Sequence, residues 1–216
     1  MTCLALASCG VKVYTSKGNA QKSFVIKSAF NAIETASYID IEYVPGAPSV
    51  TLSAPPEIID NIHVVVKDSV LVVYMNYQAN HVNVSNSASK LTVSYPGVNT
   101  FLSSGTGDIE IKNVNVETLT LSTNGTGDIE CKDSKCKFLV ATTYGTGDIE
   151  LEKFSCITAK LSSNGTGDIE AEKFTADTVE ASTTGTGDIN ISGVCKSVTK
   201  ESGGTGDINY YSKSAK

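Results

Sequence analysis

Six carboxylates recur at a fixed interval in this 216-residue chain, and their surroundings limit the chemistry they could do. Asp108, Asp128, Asp148, Asp168, Asp188 and Asp207 each close a Gly-Thr-Gly-Asp run that begins at Gly105, Gly125, Gly145, Gly165, Gly185 and Gly204. The starts are 20 residues apart four times and then 19. Glu110, Glu130, Glu150 and Glu170 follow the first four Asp at a distance of two. Stacked oxygens of this kind could hold a hard cation such as calcium, and a Gly-rich loop could cradle a phosphate. Neither pattern is completed. The calcium-binding nonapeptide roll places a residue between its last Gly and its Asp, whereas Gly107 and Asp108 are adjacent. No Lys-Ser/Thr pair turns GTG into a P-loop. We therefore expect no metal and no cofactor, with Asp108, Asp128, Asp148, Asp168 and Asp188 as the one candidate cation ladder. His63 and His81 have no partner at a motif spacing, and no G-x-S-x-G nucleophile is present. The expected catalytic set is empty.

The residues between the copies point to a structural use of the hexapeptide. Ile109, Ile129, Ile149, Ile169, Ile189 and Ile208 form an unbroken column. Two residues on come Ile111, Cys131, Leu151, Ala171 and Ile191, and three further on Val114, Ser134, Phe154, Phe174 and Val194. Leu119, Leu139, Ala159, Val179 and Val198 make a further apolar column. Spacings of two inside short segments are strand periodicity. Short strands separated by corners, repeating every 20 residues, predict one coil of a parallel β-solenoid per copy, with equivalent residues ~4.8 Å apart. In that frame Gly105 and Gly107 supply positive φ at a corner, Asp108 accepts backbone N–H groups there, and Thr106 bonds to its equivalents in a hydroxyl ladder. Ile109 enters the core, leaving Asp108 and Glu110 outside. The same assignment makes all six Gly-Asp pairs repeat corners.

Aligning the repeats also places Val116, Cys136, Cys156, Ala176 and, across the one-residue deletion, Cys195 in one column. A column of Val, Cys and Ala reads as small buried side chains, so buried thiols are expected rather than disulfides. Upstream, "SYIDIEYV", "SVTLSA", "NIHVVV", "SVLVVYMN" and "KLTVSYPG" alternate as strands, and "VVVKDSVLVV" is either a hairpin or the corner of an early rung. Tyr38, Tyr43, Tyr74, Tyr77 and Tyr95 lie in this half, packed on sheet faces or offered to a sugar or protein partner. The tail "NYYSKSAK" is expected to cover the last rung, with Lys213 and Lys216 discouraging edge pairing.

Composition excludes several classes of partner. The chain is 40% hydrophobic and 19% charged, with 18 Gly and no Trp, as suits a folded β-protein. A net charge of −6 with scattered Lys offers no basic stripe for nucleic acid. The start, "MTCLALASCG", is apolar, and Leu6-Ala7-Ser8-Cys9 resembles a bacterial lipobox. Residues 1–9 therefore read as a shortened lipoprotein signal whose Cys9 carries a lipid and attaches the protein to a membrane. Residues 10–29 read as a polar tether, 30–211 as the β-helix domain and 210–216 as a C-terminal cap. Within the domain, 30–100 are irregular rungs and 101–209 the regular repeats.

The lipobox-like start, "FNAIETASYIDIEYVPG", "IIDNIHVVVKDSVLVV" and the successive GTGDIE units together resemble the putative autotransporter adhesin, head GIN domain family over residues 30 to 211. That resemblance implies an all-β, single-stranded parallel β-helix, right-handed, in a bacterial cell-envelope protein anchored at the outer membrane. It implies a non-enzymatic adhesin-like module whose partner is an envelope, glycan or protein ligand. No segment here resembles a translocating barrel. The alternatives are a carbohydrate-active β-helix enzyme, which would need long loops around paired carboxylates, and a cation-binding scaffold.

Overall fold

Alternation of inward apolar and outward polar residues turns each repeat into two strands. In the computed structural model, which describes residues 18–75 and 89–212, they are Ile109–Lys112 and Asn115–Thr123, Ile129–Lys132 and Lys135–Thr143, and Ile149–Glu152 and Ser155–Ser163. The next two rungs run through their second corner as single strands, Ile169–Thr183 and Ile189–Ser202, and Ile208–Ser212 closes the series. Every step is parallel, in register at a 20-residue offset as in Ile109, Ile129, Ile149 and Ile169, and at 19 past the deletion, as in Ile189 with Ile208. The chain is thus an all-β parallel solenoid. Its Ile column from 109 to 189 is fully buried, and Phe154 stacks on Phe174 with ring centroids 6.0 Å apart.

The two corners work by different physics, and one expectation is corrected. Gly105, Gly107 and their equivalents do not adopt positive φ; among described glycines only Gly18 and Gly97 do. The left-handed residues lie at the other corner: Asn113 (φ 59°), Asp133 (49°), Lys153 (51°) and Lys173 (51°). The one-residue deletion removes this position. Glu172 pairs with Ser192 and Phe174 with Gly193, so nothing stands opposite Lys173. Gly193, not Val194, therefore continues the Phe174 column, and Val194 is 38% exposed.

The irregular half contains a concealed copy of the repeat. Strands Ala32–Thr35 and Asp40–Val44 stack directly under Thr100–Ser103 and Ile109–Lys112, pairing Ile41 with Ile109 and Glu42 with Glu110. On their other side lie Val70–Met75 and Lys90–Ser94, also parallel. Spatial order therefore departs from chain order, because Val70–Met75 and Lys90–Ser94 follow Ala32–Thr35 and Asp40–Val44 in the chain yet lie beneath them. Antiparallel strands finish that end: Ile62–Lys67 pairs with Val70–Met75, Ser49–Ala54 with Lys90–Ser94, and Ala20–Phe24 with Ser49–Ala54. "VVVKDSVLVV" is thus a hairpin, turning through Asp68 and Ser69 at positive φ. Residues 20–24, expected to be tether, form an edge strand because Ala20, Phe24 and nearby Ile26 pack on the core. Cys3, Cys9, Tyr77, His81, Lys213 and Lys216 lie outside the described residues.

Candidate functional site

The Asp column is a backbone clamp running along the coil. One oxygen of Asp108 accepts the N–H of Asp128 at 2.9 Å, Asp128 that of Asp148 at 2.8 Å, and Asp148 that of Asp168 at 2.7 Å. Asp168 and Asp188 continue the series to Asp188 and Asp207, both at 2.7 Å. Asp40 begins it, accepting from Asp108 at 3.1 Å. The expected acceptor role is present, but each bond joins neighbouring rungs rather than closing its own corner. A carboxylate reaches this N–H at the cost of standing near its equivalents. Partial burial pushes the Asp148 carboxyl up against the N–H of Asp168, and the Asp128 and Asp168 charges add to the rise. Burial, then the Glu130 and Asp128 charges, raises Glu150 too. Glu110 is held down by the ammonium of Lys112, 2.5 Å away. Among the described residues no group of three or more His, Cys, Asp and Glu is arranged to hold a metal ion.

The hydroxyl ladder lies elsewhere than expected. Thr106 is exposed, and its backbone N–H bonds to Ser37 O at 2.9 Å. The buried ladder is Ser103, Thr123, Thr143, Ser163 and Thr183, with Thr35 below. Ser103 donates to the Gly107 carbonyl at 3.0 Å, Thr123 to Gly147 at 2.9 Å, Thr143 to Gly167 at 3.0 Å and Thr183 to Gly187 at 3.1 Å. Buried carbonyls need partners, and the second Gly of the corners at Gly107, Gly147, Gly167 and Gly187 finds its partner here. The signal was present in the chain: a Ser or Thr stands two residues before every GTG, in phase with the inward side chains.

Glycine is required at these corners by crowding. A Cβ on Gly125, Gly145, Gly165 or Gly185 would come under 3.0 Å from the carbonyl oxygen of the first glycine one rung below. The rungs meet there backbone to backbone.

The cysteines are free thiols, with Cys131 and Cys136 buried and Cys156 and Cys195 half-buried. Burial pushes Cys131 and Cys156 up to about 12 and Cys136 to about 11, which suits packing and not nucleophilic or metal chemistry. The tyrosines named from the sequence also pack: Tyr43 is buried and donates to Tyr95 O at 2.7 Å, Tyr95 stacks on Phe30 and Tyr74 on His63. Tyr210 covers part of the last rung, accepting the Cys195 N–H at 2.9 Å. The exposed aromatics among the described residues are others: Phe138 and Tyr144 on the outer face of the coil, and Tyr211 in the last strand. Tyr144 borders a groove of about 330 Å³ shared with Leu102, Ser104, Ser122 and Asn124.

Known proteins share this architecture. A putative adhesin from Bacteroides fragilis NCTC 9343 is 26% identical, with 90% of this chain and 98% of that one covered at a TM-score of 0.77. A putative lipid binding protein from Parabacteroides distasonis ATCC 8503 is 17% identical over 90% and 97% of the two chains, TM-score 0.67, and shares the fold. A putative adhesin from the same organism is 15% identical over 90% and 98%, TM-score 0.56. No curated protein matches the chain. With the coil, its stacked GTGD corners and the concealed copy at Asp40 all inside the matched span of residues 29–214, the chain belongs to the family described as putative auto-transporter adhesin, head GIN domain.

Proposed function

We propose that this chain is a non-enzymatic binding module of the bacterial cell envelope, carried on a lipid at Cys9 and presenting the sides of its coil to an envelope, glycan or protein ligand. The observation that carries the reading is the unbroken 20-residue register from Ile109 to Ile169, with the copies joined by corners alone. A β-helix enzyme builds its cleft from loops inserted between rungs, and the regular rungs here have none. The carboxylates that could serve as an acid–base pair are instead bonded along the coil to backbone N–H groups. The adhesin family and the adhesin neighbour at 26% identity support the same class.

Two measurements test it. Protease shaving of intact producing cells, with peptide mapping, should release fragments of the coil, and Cys9→Ser should move the protein out of the membrane fraction. The purified chain should leave every member of a polysaccharide panel uncut while retaining some of that panel or of a matrix-protein panel. Turnover that is lost on replacing one outward Asp would overturn the reading.

A further inference from the structure

This inference rests on the binding-module reading and adds a ligand class and a place. Strand Lys135–Thr143 shows solvent a row unlike those above and below it. Phe138, Val140, Thr142 and then Tyr144 stand at alternate positions on the outside, with Phe138 47% and Tyr144 58% exposed. The register sets Thr118 and Ser122 of the rung below against Phe138 and Thr142, and Thr158 and Ser162 of the rung above against the same two. Two exposed rings thus stand about 20 Å apart along an extended strand, bordered on both sides by hydroxyls.

Folding does not explain the rings. The Tyr144 hydroxyl makes no hydrogen bond among the described residues, and its position in the other rungs is held by Ser104, Asn124, Asn164 and Thr184. Ser104 donates to the Glu34 carboxylate at 2.7 Å, and Thr184 donates to Asn164 at 2.9 Å. The Asn124 amide, next to Tyr144 in the groove, has no such partner among the described residues. Ser162 is buried and bonded to Ser182, whereas Ser122 lines the groove with Asn124 and Tyr144, so an exposed ring, an amide and a hydroxyl offer stacking and hydrogen bonding in one place.

Charge narrows the class. The chain carries −6 overall, yet the alternating outward positions of this row and of the rungs on either side hold one charged side chain, Lys160 opposite Val140, and the exposed Lys137 beside Phe138 is neutralised by Glu117 at 3.0 Å. Glu34 stands at the far lip. A polyanion finds no cationic cluster here, and an acyl chain finds a flat row flanked by hydroxyls rather than an enclosed apolar channel. A sugar ring presents one C–H face and a rim of hydroxyls, which matches ring, amide and hydroxyl together. We propose that the Phe138 to Tyr144 row is a subsite for a neutral, linear oligosaccharide lying along the strand. One sugar stacks on Tyr144 with its hydroxyls on Asn124 and Ser122, and Phe138 supports the far end.

The test titrates the full chain, by calorimetry, with cellohexaose, laminarihexaose, mannohexaose and maltohexaose, and with an oligogalacturonate as the anionic control. At least one neutral hexaose should bind and the control should not. Tyr144→Ala should weaken binding about tenfold, and Phe138→Ala and Asn124→Ala several-fold, with melting temperatures unchanged because all three side chains are exposed. The proposal is overturned if no neutral hexaose binds at millimolar concentration, or if Tyr144→Ala and Phe138→Ala bind as the parent does. It is also overturned if sizing shows a dimer that these two variants dissociate, since the row would then face a second copy. Loss of this subsite with other panel ligands still retained leaves the module reading standing, whereas polysaccharide turnover would remove that reading itself.

Discussion

The hydroxyl of Thr123 donates to the carbonyl of Gly147, 2.9 Å away in the corner of the next rung. Thr123 is wholly buried, and no other hydrogen bond reaches that carbonyl among the described residues. Thr123→Val keeps the shape and removes the donor, leaving a buried acceptor unpaired at about 1–3 kcal/mol. For a chain of this size that is a fall of roughly 2–10 °C in melting temperature. Thr123→Ser, which keeps the bond, should lose clearly less, and an equal loss in thermal melts would argue that the hydroxyl column is packing alone.

Gly145 and Gly203 should respond very differently to the same added methyl. At Gly145 a Cβ would come under 3.0 Å from the Gly125 carbonyl, backbone that cannot move without parting two rungs. Gly203 has its nearest neighbour 3.8 Å away, at ordinary contact. Gly145→Ala should cost about 3 kcal/mol, as overpacking does, and Gly203→Ala less than about 0.5 kcal/mol. Urea denaturation compares them directly.

Stability should depend on pH with opposite signs at two stacked carboxylates. The Glu150 carboxyl is raised by burial and by Glu130 and Asp128, so the folded chain holds its proton to higher pH than the unfolded chain. Stability then falls as pH rises through that window and stays lower above it. Glu150→Gln should melt higher than the parent at pH 7, with the difference gone below about pH 4. Glu110 is lowered by Lys112, so its contribution is present at pH 7 and is lost as pH falls through the folded value. Glu110→Gln should therefore melt lower at pH 7. Identical pH profiles for the two variants would refute this account.

Cys131 should resist alkylation. It is wholly buried and its thiol is pushed up to about 12, so little thiolate forms near neutrality and none of it meets solvent. Iodoacetamide at pH 8, followed by peptide mapping, should leave Cys131 unmodified in the folded chain and modify it fully in guanidinium. Native labelling of Cys131 as fast as that of half-buried Cys195 would show that the rungs open locally.

Much of the coil was legible in the chain because a solenoid stacks like on like. The Ile column, the inward Cys and Ala, and the outward carboxylates all follow from a strand period of two repeated every 20 residues. The copy at Asp40, Ile41 and Glu42 was harder to read, since it lacks the glycines and stands 68 residues before Asp108 instead of 20. The Val194 column slipped because a deletion can be placed only by knowing which corner residue is missing, and Lys173 is the one without a partner.

By itself the sequence determined the class of fold, the spacing of the rungs and which side of each strand is buried, since these depend on local periodicity. Only the tertiary structure decided why the corner must be Gly and Asp. The reason is a contact between rungs: carbonyl against Cα at Gly125 and Gly145, and carboxylate to the next N–H from Asp128 to Asp148. It also decided that Val70–Met75 and Lys90–Ser94 lie beneath the coil, and that Phe138 and Tyr144 share one outward row. Pairing between distant segments sets those positions, and no local pattern of residues records it.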